Sequence, residues 1–271
     1  MKSLDNGGFM GNIVYSGSSD VGYHRESNED FVHMKEIDNK NNIYFGVVAD
    51  GAGSKSARFQ PATLASVHIE RTLERIYKSD PKFFTDHTEI ILRECLSSAS
   101  AILNTFHAAD EEHYAGFAAS LTCVVIINTR LTFAHSGNTR LHLIRKNKKT
   151  ETIDVKQLTE DQTEGMKLVK SGELTFEAYH LHPGRLVITG GLGMTEVPRV
   201  QTFTLTLRDN DFILITSDGI HDAIRPDIFG ELLIRSETCD ETVNSLITAA
   251  KGEKYEDNMT ALLIWNAVQE E

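Results

Sequence analysis

VVADGAG, residues 47–53, ends a run of apolar, β-favouring residues on an acid followed by glycine. The pattern supports a strand over Ile43–Ala49 that delivers the Asp50 carboxylate at its end, where Gly51 lets the backbone turn sharply. LITSDGI, residues 214–220, repeats the arrangement around Asp218, and DNMTALLIW, residues 257–265, sets Asp257 at the head of another apolar strand. Glu29 and Asp30 add two more carboxylates in GYHRESNED, residues 22–30. Acids gathered in this way repel one another at neutral pH unless cations lie between them. A hard divalent metal is the natural counter-charge.

Outward from this strand, Ile13–Ser16 and Phe31–Ile37 read as further strands, with the turn-forming DNKNN at 38–42 leading into Ile43. Leu64, Ala65, Ile69, Leu73 and Ile76 recur at helical spacing across 62–77, and Ile91, Cys95, Ala99, Ile102 and Phe106 do so in a second helix. A second strand cluster covers Leu121–Asn128, Leu131–His135 and Arg140–Arg145, with short connections that favour antiparallel pairing. A polar helical stretch around Asp161–Ser171 and a short piece at Thr175–His182 follow, then strands at Gln201–Leu207, Phe212–Thr216 and Met259–Trp265. Helices are expected near Asp227–Arg235 and Glu241–Ala250. Strands in clusters, broken by a helix pair, argue against alternating βαβ units and for an α+β fold of antiparallel sheets covered by helices. No repeat, low-complexity tract or proline-rich linker divides the chain. Residues 11–271 are therefore expected to form one domain, after a loose Gly- and Asn-rich stretch at 1–10.

With 271 residues the chain can bury a real core. Its 27 Lys and Arg against 39 Asp and Glu, a net charge of -12, argue against a nucleic-acid partner, because phosphate backbones are bound by basic patches. Cys95, Cys123 and Cys239 are widely spaced and odd in number, which indicates neither a disulfide framework nor a cysteine zinc site. The eleven histidines form no zinc-site spacing and read mostly as surface residues. No signal-like N-terminus and no membrane-length apolar stretch occur, so a soluble cytoplasmic protein with no membrane association is expected.

Taken in order, GYHRESNED (22–30), VVADGAG (47–53), GFAASLT (116–122), AHSGNTR (134–140), LITSDGIHD (214–222) and DNMT (257–260) resemble the motifs of the metal-dependent serine/threonine protein phosphatases, the type 2C or PPM family. The resemblance runs from about Gly22 to Trp265, and LTEDQTEGMKLVKSGELTFEAYHLHPGRLVITGGLG (158–193) is similar to the segment found in bacterial members. It implies a four-layer α-β-β-α sandwich with two central antiparallel β-sheets. The implied reaction is direct hydrolysis of phosphoserine and phosphothreonine on proteins by water activated between two Mn2+ or Mg2+ ions.

By the same resemblance Asp50 bridges the two ions, the Gly51 carbonyl reaches the second, and Asp218 and Asp257 hold the first. Glu29 supports the second ion and Asp30 lies near the metal waters. Arg25 matches the phosphate-binding arginine, whose planar fork suits two phosphoryl oxygens. Arg25, Asp50 and Asp218 are thereby the expected catalytic residues of a monomeric enzyme that acts on phosphorylated proteins opposite a cognate serine/threonine kinase.

The pattern also departs from the family. Asn138 stands where Asp is usual, which weakens a third-metal position to which Asp218 and Asp222 could contribute, with Asn258 as a further supporting residue. Ala52 follows Asp50-Gly51 where some relatives have histidine, so leaving-group protonation falls to a metal-bound water or another acid. GGLG replaces the commoner RALG. Single strings have ordinary readings too: Asp-Gly as a turn, Arg25 as a solvated surface residue, Asp257-Asn258 as a loop before a strand, and Ser120 and Thr122 as strand packing. Two other functions stay open, a catalytically silent fold that binds phosphoproteins or a kinase as a sensor, and a phosphatase for small phosphorylated molecules.

Overall fold

The strand over residues 43–52 is apolar on both faces because it lies between two layers. Tyr44 and Val48 point into a core shared with the opposite sheet, whereas Phe45, Val47 and Ala49 point to a helical layer. The computed structural model describes residues 13–53, 59–147 and 152–268, so the loose stretch expected at 1–10 lies outside the described residues.

One five-stranded sheet has the order β1 (Ile13–Asp20), β10 (Met259–Asn266), β9 (Phe212–Thr216), β6 (Arg140–Lys146) and β7 (Ile153–Gln157). The other runs β2 (Phe31–Asp38), β3 (Ile43–Ala52), β4 (Ala118–Ile127), β5 (Arg130–Ser136) and β8 (Gln201–Thr206). All these pairings are antiparallel. Val124, Phe133, Ile215 and Leu262 lie in the core between the sheets.

Helices α1 (Pro61–Ser79), α2 (Pro81–Asp86) and α3 (Thr88–Ala109) belong to the second sheet's side, where Ile69, Leu73, Leu92 and Leu96 pack against its outer face. A small segment of α4 (Glu164–Ser171), α5 (Phe176–Tyr179) and a 3-10 turn at Pro183–Leu186 lies between β7 and β8 in the chain. The one-turn α6 (Asp218–His221), then α7 (Pro226–Arg235) and α8 (Cys239–Gly252), supply Ile220, Phe229, Val243 and Leu246 to the core on the first sheet's outer face. The result is the four-layer α-β-β-α sandwich expected. No helix among the described residues is long and apolar enough to cross a membrane.

Several sequence expectations change. β7 was not expected, although IDVKQ alternates half-buried and exposed positions. The short α2 and α6 offer too few residues for a periodic stripe. Most histidines are exposed or half-buried, as expected, but His135, His142 and His221 are buried. Cys95, Cys123 and Cys239 are free and buried.

Candidate metal centre

The acids come from both sheets. Asp50 is supplied by β3, Glu29 and Asp30 precede β2, Asp218 opens α6 directly after β9, and Asp257 lies two residues before β10. Asp50 is not at a strand end as expected: β3 continues to Ala52, with Asp50 paired to Ser120 and Ala52 to Ala118. The glycines after the acids serve close approach instead of a sharp turn. A Cβ on Gly51 would stand 2.8 Å from the Glu29 carbonyl oxygen, and one on Gly219 only 1.9 Å from that of Asn258.

A cleft of about 650 Å3 is lined by Arg25, Glu29, Asp50, Gly51, Asp218 and Asp257, together with Asn258. Burial and the charges of Asp218, Asp30 and Asp257 push the Asp50 carboxyl well above the ordinary carboxylate range, while Arg25 opposes the shift. Burial, then repulsion from Asp257, Asp222 and Asp30, raises Asp218 to about 7. Asp30 rises to about 6, mainly through burial, although the Thr260 and Ser217 hydroxyl groups favour its charged form. The protein's own dipoles therefore undercompensate these carboxylates, and a cation would favour their ionised forms.

Asn258 organises the acidic edge. Its side-chain oxygen accepts from the Glu29 N–H at 2.9 Å, and its amide nitrogen donates to the Val21 and Ser27 carbonyls at 2.9 and 3.1 Å. Ser217 donates from Oγ to Asp30 Oδ2 at 2.8 Å and accepts from the Thr260 N–H at 3.0 Å. The sequence carries no local signal for this positioning role of Ser217, whose partners are remote in the chain. Ser120 Oγ accepts from the N–H groups of Asn138 and Thr139, both at 2.8 Å, in agreement with a packing role.

Arg25 and Asp257, expected to do separate jobs, are paired: Nη2 donates to Asp257 Oδ2 at 2.8 Å, and Nε donates to the Glu256 carbonyl at 3.2 Å. The other Asp257 oxygen accepts from the Asn258 N–H at 2.8 Å. Asp30, Asn138 and Asp222 do not line the cleft. The Asn138 amide donates to Asp218 Oδ2 at 3.1 Å. Asp222 is held by Arg185, from the 3-10 turn, and by the Tyr255 hydroxyl at 3.2 Å. Neither Arg185 nor Tyr255 carries a local sequence signal for this contact.

Among the described residues, no three His, Cys, Asp or Glu side chains converge as a ready-made metal cage. The donor set nonetheless fits a divalent ion. Glu29 Oε1, Asp218 Oδ1 and Asn138 Oδ1 are buried oxygens without a hydrogen-bond partner, and the carboxylates around them are mutually repelled. Hard oxygen donors of this kind suit Mg2+ or Mn2+.

Residues 23–263 match the protein phosphatase 2C family. A putative protein phosphatase 2C-type from Streptococcus pyogenes is 27% identical over 251 residues, spanning 92% of this chain and 95% of that protein. The serine/threonine phosphatase stp of Listeria monocytogenes is 27% identical over 247 residues, spanning 91% and 93% of the two chains. Among solved structures, serine/threonine phosphatase Stp1 from Staphylococcus aureus superposes with a TM-score of 0.80 at 22% identity, over 100% of this chain and 99% of that one. The catalytic domain of serine threonine protein phosphatase PstP, in complex with two manganese ions, superposes with a TM-score of 0.73 at 23% identity, over 93% and 97%. With the match extending from before the first acids of the cleft to within its last strand, the chain belongs to the protein phosphatase 2C family.

Proposed function

We propose that this protein hydrolyses phosphoserine and phosphothreonine on proteins with two bound Mn2+ or Mg2+ ions. The undercompensated acidic cleft with a guanidinium at its rim is the observation that carries the reading. Asp50 would be shared between the ions, with Asp218 and Asp257 on one and Glu29 and the Gly51 carbonyl on the other. When bound, the ions supply activation of the attacking water and offset the charge of the phosphoryl oxygens.

The chain's own residues do the rest. Arg25 would exchange its Asp257 contact for two phosphoryl oxygens and so orient the phosphorus over Asp50. Asn138 restrains Asp218 through its amide, and Asn258 fixes the Glu29 backbone, so both hold ligands at the cleft floor. Asn138 therefore supports an active site and weakens the case for a silent sensor. Arg185 and Tyr255 on Asp222 favour two ions over three.

In the same reading, residues 11–271 are a single phosphatase domain, which the family match across 23–263 supports. The protein is a bacterial, cytoplasmic monomer in a signalling pair with a serine/threonine kinase. Phosphate release from a phosphothreonine peptide should require Mn2+ or Mg2+, stop with EDTA, and fall more than about a hundredfold in Asp50→Asn. Folded protein that turns over no phosphopeptide with any divalent ion would overturn the proposal.

A further inference from the structure

A second cavity, of about 640 Å3, opens beside the metal cleft and shares Asp50, Ala52 and Ile188 with it. The floor of the cleft is acidic, but this neighbouring space is mainly apolar: Phe117, just before β4, Ala118 and Ala119 at its head, Ile188 and Met194 line it, with His107 and Glu196 among its few polar groups. Met194 is 44% exposed, and its unbranched thioether can adapt to differently shaped apolar partners.

The rim is built into the fold. Ala119 and Leu192 exchange backbone hydrogen bonds at 2.9 and 2.8 Å, adding the glycine-rich segment to the edge of β4's first residues. The Gly193 N–H donates to Ser100 Oγ at 3.0 Å, and the Asn104 amide donates to the Thr195 carbonyl at 2.9 Å, which ties the same segment to α3. A pocket held open in this way costs little ordering when a side chain enters it.

We propose that this cavity is a specificity subsite for an apolar side chain flanking the phosphorylated residue of the protein substrate, an inference that rests on the phosphatase reading above. The cavity mouth adjoins the position of a phosphate presented over Asp50, because Asp50 and Ala52 belong to both spaces. An extended chain advances about 3.3–3.6 Å per residue, so a side chain within two or three positions of the phosphoresidue reaches the opening. Apolar burial there adds binding that the acidic floor cannot supply.

The test compares phosphothreonine peptides of equal length and charge in the presence of Mn2+, one with glycine at all flanking positions and others with leucine at a single position from three before to three after. Leucine at one flank should raise kcat/KM at least about tenfold over the glycine peptide. Ala118→Phe, which puts a ring into the cavity, and Met194→Glu, at an exposed position that tolerates change, should each remove that advantage while leaving the glycine peptide within about twofold of wild type. Equal rates for leucine and glycine peptides, or a leucine advantage that survives in folded Met194→Glu, would overturn the subsite while leaving the phosphatase reading intact. Hydrolysis of none of the peptides would overturn both.

Discussion

Asp218 holds its proton more tightly in the folded chain than an ordinary carboxyl does, with a value raised to about 7 by burial and by Asp257, Asp222 and Asp30. Between its ordinary value of 3.8 and 7, the folded state then binds more protons through this group than the unfolded state, so its contribution to stability falls as pH rises. His135 and His142 act in the opposite direction, because burial lowers them to about 4 and about 3 and protonation below the ordinary histidine range favours unfolding. Comparing wild type with Asp218→Asn in EDTA separates the two effects. The melting temperature of Asp218→Asn relative to wild type should increase from pH 5 to pH 7.5, and Mn2+ should favour wild type most at the higher pH. A relative melting temperature independent of pH would contradict the assignment. The acids were legible because each stands beside an apolar run and two precede glycine; Ser217, Arg185 and Tyr255 were not, because their roles come from partners remote in the chain.

Arg140 and Asp161 join three elements. Arg140, in β6, donates from Nη2 to Asp161 Oδ2 at 2.6 Å and from Nε to Oδ1 at 3.0 Å. The Tyr179 hydroxyl of α5 donates to the same Oδ2 at 2.6 Å, and the Gln157 amide of β7 donates to Oδ1 at 2.8 Å. Burial alone would raise Asp161, but the adjacent Arg140 holds it below its usual value. Asp161→Ala leaves a buried guanidinium without its counter-charge, and urea denaturation should show a loss of about 3–5 kcal/mol. The Arg185 contact is a separate tie between the 3-10 turn and the outer side of the metal centre. Arg185→Ala should speed amide exchange across residues 164–188 while exchange in β3 and β4 stays unchanged; no local increase would show that packing alone holds the segment. Long elements were legible from period and length. β7 was missed because Asp154 and Lys156 dilute its apolar content, even though their alternation with Ile153 and Val155 is that of a half-buried strand.

The layered architecture was readable because β3 and β4 are apolar on both faces while α1 and α3 carry one apolar stripe each. Strand order was not readable, since pairing such as Ile13 with Asn266 joins residues from opposite ends of the described chain. Leu262 is fully buried between the sheets, and Leu262→Ala should cost about 2–5 kcal/mol in urea denaturation; a smaller loss would indicate that the two sheets close over the cavity. The strand orders also set a sequence of events during synthesis. The second sheet has all its strands once Thr206 has emerged, whereas the first still lacks β9 and β10, and β10 is the strand that joins β1 to the rest. At about 5–20 residues per second, the ribosome takes on the order of 3–12 s to travel from Thr206 to Asn266. Until Asp257 is made the Asp50 half of the centre can exist without it, and the apolar inner face of the finished second sheet waits for β9 and β10, whose Ile215 and Leu262 cover it.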